Sequence, residues 1–234
     1  MFFDPMYFLF ALPGIALALW AQWKVKSAYA KFAKVPVGRG VTGIEMAKLL
    51  MRQTGVTVGI EGISGQLTDH YDPRDKTMRL SESSRSNSVA SVAVVAHEFG
   101  HAMQDSENYG PLKLRGAIVP AVQVSAWVGP ILFFVGFGIV GIGSAIGQSL
   151  AWLGVATFLV AATFSLVTLP VEFDASRRAL RMLEATYALD PDELSGAKKV
   201  LDAAALTYVA AAAQSLLTLI YYVTLLTGGR RRGD

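Results

Sequence analysis

The chain contains no cysteine among its 234 residues. That absence excludes disulfides, cysteine-ligated zinc, iron–sulfur clusters and cysteine nucleophiles, so any metal site must be built from His, Asp or Glu. Histidine is nearly as scarce, with only His70, His97 and His101. Charge is the third shortage: 17% of residues are charged, against about 25% in an ordinary soluble domain. Hydrophobic residues make up 53%, and mean hydropathy is +0.41. The charge deficit falls in four long apolar blocks, the signature of an integral membrane protein. Net charge is +3. Lys and Arg sit mainly beside the apolar blocks, so they read as topology signals and no nucleic-acid partner is expected.

The first block, Met6 to Trp23, is long enough to cross a bilayer at 1.5 Å per residue. Its start has no positive region and carries Asp4, which favours an uncleaved anchor over a signal peptide. Trp20 and Trp23, followed by Lys24 and Lys26, suit an interfacial belt. The second and third blocks, Ile118 to Ile142 and Leu150 to Leu169, are joined by a short uncharged stretch and form a hairpin of spans. The fourth, Ala203 to Leu226, is Ala-rich and the weakest span, with a buried or re-entrant helix as its alternative. The expected division is an anchor (1–23), a catalytic region (24–117) and a two-span hairpin (118–170). A helical segment (171–202) and a C-terminal membrane helix with a basic tail (203–234) follow.

Within the first polar region, Thr42 and Glu45 have capping-box spacing and Gly55 stands where a helix stops, predicting a helix over Thr42–Thr54. Val56–Ile60 reads as a strand, Asp72–Asp75 as a turn and Thr77–Leu80 as a second strand. Ser83–Ser88 reads as a polar loop and Asn87–Asp105 as a helix.

That last helix carries His97-Glu98-Phe99-Gly100-His101. Residues four apart share a helix face, so the two imidazoles can reach one Zn²⁺, with Glu98 beside them to take a proton from water. Gly100 is expected to leave open space near the metal face. With so few histidines, chance pairing in one five-residue motif is a poor explanation. A catalytic zinc wants a third protein ligand. Glu172, in Leu169-Pro170-Val171-Glu172-Phe173-Asp174, is the first choice, with Pro170 placed to open a helix. Asp174 is the nearest rival, and His70, Asp105 and Glu107 remain open. Tyr71 and Tyr109 are candidate donors to an oxyanion.

These motifs together resemble the YugP-like neutral zinc metallopeptidases of bacterial membranes. The resemblance covers nearly the whole chain. It takes in Phe3-Asp4-Pro5-Met6-Tyr7, Leu67 to Pro73, His97 to Gln104, Tyr109 to Leu112, and Pro170 to Glu172 with Ala175-Ser176. The layout is also similar to HtpX-type membrane proteases, where two spans separate HExxH from a zinc-binding Glu-x-x-Ala-Asp motif. The resemblance implies Glu172 as third ligand. It departs at Ser176, where that family has Asp, so the hydrogen bond that orients a ligand His must come from Asp174 or, more weakly, from Ser176 itself.

The expected protein is mainly α: an integral membrane helical protein with about four spans and a small α+β zincin-like catalytic region. It is read as a gluzincin-like zinc endopeptidase of the bacterial cytoplasmic membrane, acting on peptides or membrane proteins. Lys24, Lys26, Lys31, Lys34 and Arg39, with Arg177, Arg178 and Arg181, put the catalytic region on the cytoplasmic side, while Arg230–Arg232 oppose this. The rival readings are a non-catalytic metal-binding membrane scaffold, a site-2-type intramembrane protease and a small transporter. Against the transporter, the two middle spans contain no ionisable residue.

Overall fold

The computed structural model describes residues 5–228. The expectations that touch Phe3, Asp4 and Arg230–Arg232 lie outside the described residues. The elements run α1 (Pro5–Phe32), α2 (Gly43–Thr54), β1 (Gly59–Ile63), β2 (His70–Asp72), β3 (Thr77–Ser81), α3 (Val89–Ser106), α4 (Gly110–Phe134), α5 (Ala145–Thr186) and α6 (Pro191–Gly228). A 3-10 turn, Glu82–Arg85, precedes α3, and α4 continues into a π-helical stretch, Val135–Gly141. Among the described residues, four helices are long and apolar enough to cross a membrane: Pro5–Phe32, Gly110–Gly141, Ala145–Thr186 and Pro191–Gly228. The fourth apolar block thus lies in one continuous helix.

The chain forms two compact units that interleave in sequence. One gathers the residues up to Trp20, Leu114–Leu169 and the residues from Tyr208 onward; the other gathers Ala21–Lys113 and Pro170–Thr207.

In the first unit, small residues bring α4 and α5 into backbone contact. A Cβ on Gly154 would lie 2.7 Å from the Phe133 nitrogen, and one on Gly136 would lie 2.4 Å from the Ala151 nitrogen. Close approach of this kind replaces the hydrophobic drive that is missing between helices in lipid. Phe133 stacks on Phe137 at 5.4 Å and meets the Tyr222 ring edge-on at 4.5 Å, filling the space the glycines leave.

In the second unit, α2 starts at a complete capping box. Thr42 N–H donates to Glu45 Oε2 at 2.8 Å, and Glu45 N–H donates to Thr42 Oγ1 at 3.3 Å. The helix stops at Gly55, whose φ of 75° suits a residue without Cβ. The sheet has the order β1-β3-β2, with β1 parallel and β2 antiparallel to β3. β1 begins three residues later than the sequence suggests. Its register is set by β3, with Gly59 opposite Thr77, and Val56–Val58 climb from the helix end without pairing. β2 is an arm that sequence reading left out.

α3 is buried on almost every side. Val89, Ala90, Val92, Ala93, Val95, Ala96 and Phe99 are sealed from solvent against Met46, Leu50, Met78, Leu80, Leu183 and Leu201. A helix apolar all round is a core helix when protein surrounds it. The apolar run before His97 is therefore the core of this unit, and α3 is not among the four helices that are long and apolar enough to cross a membrane.

α5 departs from expectation. Pro170 does not open a helix; it lies inside a continuous 42-residue one. Glu172 therefore projects from a helix interior and not from a positive helix end. The Ser165 and Thr168 hydroxyls, in the turns before Pro170, donate to the carbonyls of Ala161 and Phe164.

Candidate metal centre

The site lies wholly in the second unit, on α3 and α5. His97 and His101 are one turn apart on α3, with ring centroids 4.8 Å apart and planes nearly perpendicular. Glu172, only 2% exposed, reaches them from α5. Its Oε2 is 3.2 Å from His97 Nε2 and 3.6 Å from His101 Nε2. One ligand atom from each of the three residues falls within 4.8 Å of the others, and among the described residues no other group of His and carboxylates has this arrangement.

Gly100 makes the approach possible. A Cβ there would stand 2.5 Å from the Ala175 carbonyl oxygen. The glycine faces the α5 backbone and not open space, contrary to the sequence expectation; the buried Ala175 and Ala179 keep the opposite side equally thin. Gly100→Ala is expected to push α3 and α5 apart. Overpacking of this kind costs about 1–3 kcal/mol, so melting temperature should fall and any bound metal should be lost more readily on dialysis. An unchanged melting curve would show that the helices have slack at this point.

The other ring nitrogens are already engaged. His97 Nδ1 pairs with Ser176 Oγ at 3.1 Å, and His101 Nδ1 with Gln104 Oε1 at 3.0 Å. Gln104 Nε2 donates to the Val171 carbonyl at 2.8 Å and to Asp174 Oδ2 at 3.0 Å. With its amino group so used, Gln104 presents its oxygen to His101. The imidazole then carries a proton on Nδ1, and Nε2 is the ring atom that faces Glu172. This is the outer support that fixes the tautomer of a metal-binding histidine. The expected order of Asp174 over Ser176 is reversed for His97. Ser176 is one turn after Glu172 on the same α5 face, while Asp174 acts on His101 through Gln104. Gln104 itself escaped notice as a functional residue, although it stands three residues after His101 on one face.

The rival ligands are all placed elsewhere. Asp174 accepts from Arg178 Nε at 2.6 Å, and Glu107 from Arg178 Nη1 at 2.7 Å. Asp105 accepts from the Tyr71 hydroxyl at 2.8 Å. His70 is exposed, with Nδ1 2.9 Å from the Thr68 carbonyl. The Tyr71 hydroxyl is committed to Asp105, and the Tyr109 ring lies 5.8 Å from the Arg178 guanidinium. Burial, and then the Asp105 bond, raises the Tyr71 pKa and keeps its proton on.

Glu98 is buried at the next position of α3, and Tyr71 N–H of strand β2 donates to its Oε2 at 2.9 Å. Burial raises its pKa, with the two histidines opposing the shift. For Glu172, burial acts in the same upward sense, but hydrogen bonds from His101 and His97 outweigh it and hold the carboxylate below its usual range. His101 is the counterpart: burial disfavours its charge, yet Glu172 and Glu98 prevail and raise its pKa. The buried Glu172 carboxylate thus favours positive charge at His101.

A family model described as "Putative neutral zinc metallopeptidase" matches residues 7–227. The chain is also 42% identical over 228 residues to a Bacillus subtilis (strain 168) protein named "Putative membrane protease YugP", covering 96% of this chain and 99% of that one. No solved structure matches the chain.

Proposed function

The chain belongs to this neutral zinc metallopeptidase family, and from that premise we propose that it is a membrane-embedded, gluzincin-like zinc endopeptidase. His97, His101 and Glu172 hold the metal and Glu98 is the general base. The observation that carries this reading is the convergence of two Nε2 atoms, with their Nδ1 positions already occupied, on one buried carboxylate. Two imidazoles and one carboxylate are a donor set that suits catalytic zinc with a position left for substrate or water. A zinc ion held there supplies Lewis acidity, bringing the pKa of water toward about 7 and polarising a carbonyl oxygen.

The protein's own groups do the rest. Tyr71 N–H fixes Glu98 Oε2 and leaves Oε1 to take the proton of the attacking water and pass it to the leaving amine. Burial raises the pKa of Glu98, which makes it a stronger base than an exposed carboxylate. β3 is paired on both sides and has no free edge for an extended substrate. β2 is an edge strand and touches Glu98 through Tyr71, so an extended peptide adds to β2.

Activity on a denatured protein substrate should be abolished by a chelator and restored by Zn²⁺ but not by Mg²⁺. Hydrolysis that survives chelation would end the zinc-peptidase reading. The positive residues flanking the spans support an orientation with the catalytic unit on the cytoplasmic side of a bacterial membrane. Reporter fusions should be active in the cytoplasm at Ser83 and silent there at Ser144; the reverse pattern would overturn the orientation.

A further inference from the structure

Tyr71 ties strand β2 to helix α3 at two points. Its main-chain N–H donates to Glu98 Oε2 at 2.9 Å, and its hydroxyl donates to Asp105 Oδ2 at 2.8 Å. Glu98 and Asp105 are two turns apart on one face of α3, about 10 Å along the helix. A single tyrosine, from backbone to hydroxyl, spans that gap. The other two residues of β2 are engaged elsewhere. His70 is exposed, and Asp72 accepts from Arg74 Nη2 at 2.6 Å and from Arg79 Nη1 at 3.4 Å.

Tyr71 packs on the core, but together with Asp105 it also borders an open cavity of about 250 Å³, shared with Val56, Val58, Lys76 and Ala102. A ring beside such space can swing unless its tip is anchored. The anchor stands at an unfavourable place for an acid. Asp105 is in the last turn of α3, where the helix dipole opposes an anion, and that turn has no basic residue to offset it. Its carboxylate therefore does not stabilise the helix end. Its bond to the Tyr71 hydroxyl, by contrast, is charge-assisted. The tyrosine keeps the proton it donates, because burial and then Asp105 raise its pKa.

We propose that Asp105 is a positioning residue for the general base: through the Tyr71 hydroxyl it sets the height of β2 over α3, and the Tyr71 N–H then aims Glu98. This rests on the peptidase reading for the role of Glu98, while the tie from Asp105 to β2 holds without it.

The test compares Asp105→Ala, Asp105→Asn and Tyr71→Phe in the purified full-length protein, in the wild-type and Glu98→Gln backgrounds, with zinc content measured throughout. Amide hydrogen exchange reads the tie itself. β2 should lose protection in Asp105→Ala and Tyr71→Phe and keep it in Asp105→Asn, whose amide oxygen still accepts the hydroxyl. With zinc unchanged, kcat should fall about 10–100-fold in Asp105→Ala and in Tyr71→Phe, since an ångström of misplacement costs on the order of 100-fold. The double variant should fall no further than either single one. Asp105→Asn should recover most of the loss, and Asp105→Ala should cost nothing more once Glu98 is replaced by Gln. Unchanged exchange in β2, or full kcat in Asp105→Ala while Glu98→Gln is impaired, would overturn the proposal. So would losses that multiply in the double variant, a loss that persists in the Glu98→Gln background, or zinc lost along with kcat. Wild-type hydrolysis that survives chelation would instead sink the peptidase reading, and this role of Asp105 with it.

Discussion

Glu172→Ala is expected to weaken zinc binding by more than about 100-fold, since loss of a mere outer partner of a ligand already costs about 10–100-fold. The carboxylate is the only anionic member of the proposed ligand set, and it reaches both imidazoles from a buried position. Its removal leaves two imidazoles facing each other with no charge to offset a dication. None of Asp174, Asp105 or Glu107 can substitute without abandoning a hydrogen bond to Arg178 or Tyr71. Ser176→Ala sets the scale, because it removes only the bond to His97 Nδ1 and should stay within that 10–100-fold range. Competition with a zinc-sensitive dye measures both. Equal affinity in Glu172→Ala and wild type would mean that Glu172 is not a ligand.

Glu98→Gln is the second large effect, with hydrolysis falling by about 10²–10⁴-fold while zinc content is unchanged. Glutamine has the same shape and can still accept the Tyr71 N–H through its amide oxygen, so the backbone contact that fixes the side chain survives. What it cannot do is take a proton. Glu98 lies outside the group of His97, His101 and Glu172, so occupancy should not change. Turnover and elemental analysis on the same preparation separate the two quantities. Normal turnover in Glu98→Gln would reassign the base. Loss of zinc together with turnover would make Glu98 a structural residue. The same comparison disposes of the scaffold reading, in which neither variant has an activity to lose.

Much of this was readable from local chemistry. The Thr42–Glu45 pair and Gly55 mark α2 because caps act within one turn. The five-residue motif places both imidazoles on one face of α3, since helix geometry fixes neighbours at a spacing of four. The long apolar runs mark the spans. What sequence missed depends on contacts between distant elements. β2 has three residues, too short for any alternation to register, and exists because β3 offers it an edge. Pro170 signals a helix start in a soluble setting, yet lies within a continuous α5. Gly100 looked like an opening, because nothing local announces that Ala175 will press against it. Gln104 and Ser176 lie at helical spacing from His101 and Glu172, so their outer role had a sequence signal. It was outweighed by the general expectation that a carboxylate supports a metal-binding histidine.

The most direct test of the central claim is zinc-edge X-ray absorption on the purified wild-type protein. The account predicts one zinc per chain with two imidazole nitrogens and the remaining donors oxygen. A spectrum with no imidazole scattering, or with only one imidazole, would contradict the assignment of His97, His101 and Glu172 as the metal centre.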